Sequence, residues 1–189
     1  IDKAHWLPQA MVVNGRIDKP GDRDIYRFNC KAGEAIVAEV HARRLNSPVD
    51  SMVMITDAAG KKLAANDDYV DKGSAMATHH ADSRVLMKAP TAGSYYFHII
   101  DTQVKGGPEF TYRFRIAEQR SDFALRVTPA SVNGKPGESV PIAVYALRKD
   151  GFNGEIALKV EGGPDGMVFS GDRLPAGQDI VRSTLTIPT

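Results

Sequence analysis

The 189-residue chain carries 24 Lys and Arg against 23 Asp and Glu, which gives a formal net charge of +1 at pH 7. Without a charge excess there is no broad electrostatic field to draw the chain onto nucleic acid or an anionic membrane, so both partners are disfavoured. Hydrophobic residues make up 42% and charged residues 25%, the composition of an ordinary globular protein. The apolar runs are far too short to span a bilayer, which excludes membrane insertion by a helix.

The single cysteine, Cys30, excludes an internal disulfide and a zinc cluster built from several thiolates. Because Cys30 alternates with Tyr26 and Phe28, we expect it to be a small buried hydrophobe. The sequence begins with Ile1 rather than Met. We therefore expect a piece cut from a larger precursor, in which a missing leader says nothing about export.

Alternating apolar and polar residues, broken by Gly and Pro turns, predict short β-strands and no amphipathic helix of any length. Asn14-Gly15 and Pro20-Gly21-Asp22 are predicted turns. The predicted strands that follow cover residues 24–30, 34–42, 52–56 and 61–65, and a polar loop is predicted from Asn66 to about Ser83.

Two aromatic strands close this first region. Residues 94–101 are apolar on both faces, which predicts a central strand, and Tyr96 is expected to pack in the core. Residues 110–117 place Tyr112 and its apolar neighbours on one face, which predicts a half-buried strand. Many short strands with Gly and Pro at the joints are typical of a sandwich or a jelly roll.

The strand pattern restarts after a polar stretch at residues 118–122. Four more strands are predicted at residues 123–127, 139–147, 155–161 and 180–187, with a spacing typical of an immunoglobulin-like sandwich. Such a fold needs about seven strands, which leaves two alternatives: the second domain is truncated, or its remaining strands are disordered. The predicted organisation is a lead-in at 1–10, a domain at 11–118, a linker at 119–122 and a second, incomplete domain at 123–189.

A series of short motifs occurs in a fixed order at residues 14–17, 20–28, 32–34, 47–51, 57–60, 63–68, 82–84 and 89–96. Together they resemble the bacterial pre-peptidase C-terminal (PPC) domain across about residues 11–118. The resemblance implies a β-sandwich of jelly-roll type in a secreted bacterial protein, often beside a peptidase or another hydrolase. Some members, such as the collagen-binding domains of clostridial collagenases, bind calcium and a polymeric substrate, and many others have no known ligand.

The remainder of the chain resembles the Ig-like repeats that follow such domains in large planctomycete-type secreted proteins. The matching residues are 137–138, 148–152 and 174–177. The resemblance implies that neighbouring domains of a longer parent chain are partners of this one.

Acidic and amide side chains form candidate calcium ligands, because calcium takes six to eight oxygen ligands. Asn66, Asp67 and Asp68 form one group with Asp82. The family pattern brings the loops of Asp82 and Asp50 towards one another. The alternative is that these residues serve as turn formers, since Asp and Asn side chains bond nearby backbone groups.

Asp22 and Asp24 form a second candidate pair, two residues apart on an extended segment with both carboxylates on one face. Like charges at that separation repel, and a bound cation would relieve the repulsion. In the collagenase relatives part of the calcium shell comes from an acidic linker before the domain. Here the lead-in contributes Asp2 alone, so a site of that design is incomplete.

The sequence gives little support for metal binding by histidine or for catalysis. Neighbouring residues on an extended loop point in opposite directions, so His79 and His80, with Asp71 and Asp82 nearby, are unlike a metal or catalytic site. The chain has no Gly-x-Ser-x-Gly elbow, His-Glu-x-x-His motif or phosphate-binding glycine loop. We therefore expect a protein that is not an enzyme.

Exposed aromatic residues are the remaining candidates for ligand binding, since sugar and peptide binders use them as rigid platforms. Tyr69 in the long loop and Trp6 in the lead-in are the candidates. The basic residues His41, Arg43 and Arg44 are expected to form a solvated edge that discourages strand pairing between molecules.

The sequence favours a non-catalytic accessory module of a larger bacterial protein that is secreted, periplasmic or on the cell surface. Its expected partner is a polysaccharide or an extracellular protein, with calcium as a candidate cofactor. The alternative is a passive spacer, or a folding and secretion aid, with no specific ligand.

Overall fold

The computed structural model describes residues 3–8, 11–70 and 81–189. It divides the chain into two compact units, Ile1–Gln119 and Arg120–Thr189. The described residues contain β-strands, a single 3₁₀ turn at Arg43–Leu45 and no α-helix. The strands of the first unit are β1 His5–Trp6, β2 Met11–Arg16, β3 Arg23–Cys30, β4 Ala35–His41, β5 Ser51–Asp57, β6 Lys62–Asn66, β7 Arg84–Lys88, β8 Gly93–Asp101 and β9 Thr111–Glu118.

The first unit is a sandwich of two sheets, ordered β1-β3-β8-β5-β6 and β2-β9-β4-β7. Every pair of neighbours is antiparallel except β1, which lies parallel to the edge of β3. From β2 to β9 the chain changes sheet at every connection except the β5–β6 hairpin. Eight strands connected in this way form a jelly roll, so the predicted all-β, jelly-roll-like fold is confirmed.

The core of the first unit follows from the alternation of the strands. Phe28 of β3 and Phe97 of β8 stack with their ring centroids 4.0 Å apart, and Phe114 of β9 meets Phe97 edge-on from the other sheet at 5.3 Å. All three are fully buried, as is Ile55 of β5. The predicted central position of β8 is confirmed, since it pairs with both β3 and β5.

Three strands of the first unit were not predicted, namely β1, β2 and β7. The predicted turn at Asn14-Gly15 is wrong, because both residues lie inside β2 and pair with β9. Gly15 is required there for space: a Cβ atom at this position would lie 2.4 Å from the hydroxyl of Tyr112. The sequence also missed β7, a short edge strand that directly follows the long polar segment and pairs with β4.

The second unit is also all β. Its strands form one sheet in the order β10-β11-β15-β13 and a small pair, β12-β14. The prediction of a strand over 155–161 is wrong in extent, because its partner β14 is two residues long and only Ile156 and Ala157 pair with it. The strands are β10 Asp122–Thr128, β11 Ser139–Lys149, β12 Ile156–Ala157, β13 Val168–Ser170, β14 Arg173–Leu174 and β15 Ile180–Thr186.

No helix among the described residues is long and apolar enough to cross a membrane.

Candidate functional site

In the first candidate calcium group, one side-chain oxygen each of Asn66 and Asp67 accepts a backbone hydrogen bond. Asn66, the last residue of β6, accepts the backbone N–H of Arg84 at 2.9 Å through Oδ1 and donates from Nδ2 to the carbonyl of Asp68 at 3.1 Å. Asp67 accepts the backbone N–H of Asp68 at 3.0 Å. These are bonds by which Asn and Asp side chains stabilise turns.

Asp82 lies apart from this exposed group, because its side chain is fully buried. Oδ1 accepts the backbone N–H groups of Ala42 and Arg43 at 2.9 and 2.7 Å. Oδ2 accepts the backbone N–H and the Nε of Arg44 at 3.2 and 2.7 Å. Both oxygens therefore cap the start of the 3₁₀ turn, and an ion would have to displace these donors.

Asp22 and Asp24 occupy different environments. Asp22 accepts the backbone N–H of Asp18 at 2.9 Å in the turn before β3. Asp24 begins the core-facing side of β3 and accepts a short hydrogen bond from the Tyr112 hydroxyl. Burial raises the pKa of Asp24; the Tyr112 hydrogen bond opposes this, and the carboxylates of Asp22 and Asp18 raise the pKa further. The repulsion between the two predicted ligands is therefore one cause of this shift.

Asp50 lies before β5 and bonds elsewhere. Its backbone N–H donates to Asp101 at 2.8 Å, and its carboxylate accepts the side-chain amide of Gln103 at 3.2 Å. Across residues 3–8, 11–70 and 81–189, no group of three or more His, Cys, Asp and Glu side chains is arranged to hold a metal ion. Asp71, His79 and His80 lie outside the described residues. Calcium binding stays a prediction.

The two predicted aromatic residues lie against different sheets. Tyr69 is half-buried, and the guanidinium of Arg84 from β7 sits 4.8 Å from its ring centroid. Trp6 of β1 is 55% exposed at the edge of the five-stranded sheet, with the guanidinium of Arg27 from β3 at 5.6 Å. Both rings make cation–π contacts, which stabilise the position of the guanidinium over the ring. Only Trp6 exposes most of its surface.

Trp6 belongs to a larger set of outward-facing residues on the five-stranded sheet, here called the tryptophan face. Since Tyr95 and Phe97 of β8 point into the core, the residues that alternate with them point outward. The strand registers then place two rows side by side on the outside of the sheet. The rows are Trp6, Arg27, Tyr96 and Thr56, and Ile25, His98 and Met54.

His98 is the polar centre of the tryptophan face. Its Nε2 lies 3.1 Å from the Thr56 hydroxyl, whereas its buried Nδ1 has no hydrogen-bond partner among the described residues. Burial lowers the pKa of His98, and the positive charge of Arg23 lowers it further. The imidazole is therefore neutral at pH 7. An unpaired buried nitrogen is uncommon and costs about 1–3 kcal/mol, which is a reason to seek a functional role for this face.

Sequence analysis identified Trp6 but not the rest of the face. Tyr112 is buried in the core as predicted. The prediction that Tyr96 packs in the core is wrong, because it is buried on the opposite side of β8 from the core cluster. The sequence does indicate an apolar outer face at this strand, because residues 94–101 are apolar on both faces. The strand order, which the sequence does not reveal, decides which residues join Tyr96 on the outside.

Comparisons with known proteins include a sequence relative and a structural likeness, while no family model matches the chain. Over 82 residues, 43% of this chain, the sequence is 38% identical to a probable subtilase-type serine protease of Deinococcus radiodurans. The match covers 10% of that protease, so this chain corresponds to a small part of a longer protein. A pre-peptidase C-terminal domain of a collagenase from Bacillus anthracis is 16% identical, with a TM-score of 0.44, over 60% of this chain and 94% of that domain.

Proposed function

We propose that the chain is a non-catalytic accessory part of a larger exported bacterial protein and that its first unit belongs to the PPC family. Its role is to bind a polysaccharide or an extracellular protein and to hold that substrate near a neighbouring catalytic domain. The observation that carries the proposal is the exposed edge of the tryptophan face, where Trp6 is 55% exposed and lies beside the exposed Arg27.

The chemistry of this face suits a polymer. Flat aromatic and apolar groups contact sugar rings or peptide side chains over a broad area, and few rotatable bonds are lost on binding. The exposed Arg27 adds hydrogen-bond donors beside Trp6 in the same row. A β-sheet holds all of these groups on a rigid backbone, so the surface needs little rearrangement to bind.

Cys30 is poorly suited to act as a catalytic nucleophile. The one cysteine is buried, and burial, with a smaller contribution from Glu34, raises the pKa of the Cys30 thiol to about 12. A thiol with that pKa is almost wholly protonated at pH 7, whereas a reactive cysteine requires the thiolate.

The sequence relative supports an accessory role. A matching segment that covers 10% of a probable serine protease is one part of a protein with much additional chain. The PPC resemblance implies that this chain is exported to the bacterial surface, the periplasm or the medium.

Binding of the 189-residue chain to insoluble cellulose, chitin and collagen tests the proposal. We expect the chain to bind at least one of these polymers, and Trp6→Ala to weaken that binding at least tenfold. Val12→Ala is the matched control, because Val12 is also 55% exposed but lies on the other sheet. The proposal fails if none of the polymers is bound, or if Trp6→Ala binds as tightly as the unchanged chain. Parallel assays with calcium and with EDTA would test the predicted cofactor.

A further inference from the structure

The dipeptide Asn-Gly occurs three times in the chain, at residues 14–15, 133–134 and 153–154. An asparagine in this setting can lose its side-chain amide without an enzyme, because the following glycine has no side chain to hinder attack by its own backbone nitrogen. The three copies lie in different parts of the fold. Their surroundings therefore decide which of them reacts.

Deamidation requires that the backbone nitrogen of the glycine can reach the asparagine side chain. The nitrogen loses its proton and attacks the side-chain carbonyl carbon; the new C–N bond closes a five-membered succinimide ring, and ammonia leaves. Water then opens the ring at either carbonyl, which gives aspartate or, with one additional carbon in the main chain, isoaspartate. A glycine N–H that is held in a hydrogen bond cannot react until a local opening breaks that bond.

Two of the copies are nearly identical in local sequence, which makes them an internal comparison. Residues 13–16, Val-Asn-Gly-Arg, and residues 132–135, Val-Asn-Gly-Lys, differ only in the last basic residue. Asn14 and Asn133 are also both exposed. Residue type and exposure of the asparagine thus predict the same reactivity at both positions, and a difference must come from the backbone.

The β-ladder protects Asn14. Ile17 donates its backbone N–H to the Phe110 carbonyl at 2.9 Å, in the register that pairs β2 with β9. Bonded pairs alternate along an antiparallel ladder, so Gly15 lies in the next bonded pair and its N–H donates to β9. The side chain of Asn14 is also held, because its Oδ1 accepts the Nε of Arg113 at 3.1 Å.

The loop between β10 and β11 holds the second copy without such bonds. Asn133 and Gly134 are exposed and belong to no strand. Within the ranges that the structure describes, neither residue takes part in a hydrogen bond through its backbone or its side chain. The turn that follows begins at Lys135, whose backbone N–H donates to the Glu138 carboxylate at 2.8 Å. The nitrogen of Gly134 can therefore attack without a prior opening of the fold.

The packing around Gly134 leaves room for this movement. A Cβ atom at Gly134 would lie 2.6 Å from Cδ1 of Ile187 and 3.1 Å from the side chains of Glu138 and Val140. These neighbours are the ends of side chains, which can turn aside, and not backbone atoms.

The third copy, Asn153-Gly154, is intermediate. It is exposed, but the Gly154 carbonyl accepts Nη1 of Arg148 at 2.7 Å. The ring of Phe152 lies against Gly154, since a Cβ atom at this glycine would be 3.2 Å from the ring. Both contacts restrict the rotation that brings the nitrogen to the side chain, although the Gly154 N–H donates to no residue in the described part of the chain.

We propose that Asn133 is a site of spontaneous deamidation and isoaspartate formation in the folded chain, that Asn153 reacts more slowly, and that Asn14 is protected. The inference goes beyond the proposed function, because it concerns a covalent modification of the second unit. Each event replaces a neutral amide with a carboxylate, so it lowers the formal net charge of the chain, now +1, by one unit.

Incubation of the full chain in a mildly alkaline buffer, followed by peptide mapping with mass spectrometry, tests the inference. Each event adds about 1 Da to the peptide that carries it, and chromatography separates the isoaspartate and aspartate products. We expect Asn133 to react at least tenfold faster than Asn14, with the rate at Asn153 between them. An unincubated sample that is digested in parallel corrects for deamidation during digestion.

The same incubation in urea that unfolds the chain is the control for local sequence. Without the β-ladder, the rates at Asn14 and Asn133 are expected to agree within about twofold, because their neighbours are nearly identical. Three results would overturn the inference: equal rates at Asn14 and Asn133 in the folded chain, a difference between them that persists in urea, or a faster rate at Asn153 than at Asn133.

Asn133→Gln is the matched variant, because glutamine must close a less favourable six-membered ring. It is expected to abolish the modification at position 133 and to leave the rates at Asn14 and Asn153 unchanged. A mass shift that stays in the same peptide of this variant would contradict the assignment to Asn133. Trp6→Ala is expected to leave all three rates unchanged, which separates the outcome from that of the proposed function.

Discussion

The two units differ in how completely they bury their apolar faces. Among the described residues, the core cluster of the first unit contains 22 buried residues drawn from both sheets. The corresponding cluster of the second unit contains three, Ala146, Ile156 and Leu174. The difference shows that a strand pattern alone does not make a closed sandwich, since both units carry alternating strands.

The second unit leaves part of its larger sheet uncovered. Leu125 and Val127 of β10 lie on the same face as the buried Ala146 and Val144, yet they are 42% and 47% exposed. The small β12–β14 pair packs its buried Ile156 and Leu174 in one cluster with Ala146 of that face. The exposed apolar residues of the second unit therefore lie on the inner face of a sheet that is not fully covered. Trp6 of the first unit, by contrast, lies on the outer face of a sandwich whose core is closed.

Truncation of a core ring should produce the largest difference between the units. Phe97→Ala in the first unit is expected to cost about 3–5 kcal/mol of unfolding free energy, because it leaves a cavity between two sheets. Leu125→Ala in the second unit is expected to cost less than about 1 kcal/mol, since an exposed side chain leaves no cavity. Urea unfolding of both variants measures the two costs, and equal values would contradict the comparison.

Removal of the buried carboxylate should have the next largest effect. Asp82→Ala strands the backbone donors of Ala42, Arg43 and Arg44, so we expect a loss of about 2–3 kcal/mol. Asp67→Ala, at an exposed position, is the matched control and is expected to change stability by less than about 0.5 kcal/mol. Thermal unfolding with calcium and with EDTA measures both, and a larger loss for Asp67→Ala in calcium would instead favour the predicted metal site.

Glu39 of β4 accepts hydrogen bonds from the Arg44 guanidinium at 3.0 Å and from Arg115 at 3.3 Å, which predicts a pH-dependent contribution confined to the first unit. Because its folded pKa is lowered, the stabilisation is fully present above the unfolded value of about 4.5 and is lost as the pH falls towards the folded pKa. Glu39→Gln is therefore expected to cost about 1–2 kcal/mol at pH 7 and progressively less below pH 4.5. Urea unfolding across this range measures the difference, and a cost that did not vary with pH would contradict the ion-pair account.

Polar substitution of Leu125 and Val127, on the uncovered face of the second unit, should have the smallest effect on stability. Leu125→Ser/Val127→Ser is expected to change the unfolding free energy by less than about 1 kcal/mol, because both side chains already contact water. The same variant should reduce the fluorescence of a bound hydrophobic dye, which reports exposed apolar surface. Val12→Ser, an exposed apolar residue of the first unit, serves as the control. Unchanged dye fluorescence in the double variant would show that the face is already covered.

Local periodicity predicted most of the first unit. Residues 24–30 alternate clearly and residues 94–101 form a continuous apolar run, so β3 and β8 could be placed from the sequence. Strands β1, β2 and β7 were missed: β1 is two residues long, Asn14-Gly15 mimics a turn, and β7 directly follows a long polar segment. A dipeptide cannot reveal that its glycine makes room for a tyrosine on another strand.

The candidate sites were less predictable because they depend on contacts between distant strands. Trp6 was identified from its residue type, but the tryptophan face exists only because β1, β3, β8 and β5 are neighbours. Asp82 was predicted as a calcium ligand from its carboxylate and its place in the family pattern. The sequence does not reveal its hydrogen bonds to the 3₁₀ turn.

Native-state hydrogen exchange of the full chain, followed by mass spectrometry, tests the contrast between a closed first unit and an open second unit most directly. We predict that amides of β3, β8 and β9 exchange only through global unfolding of the first unit, whereas those of β10 and β15 exchange through openings of much lower free energy. Protection of β10 and β15 equal to that of β8 would contradict the account, because it would show that the second unit closes its interior as completely as the first.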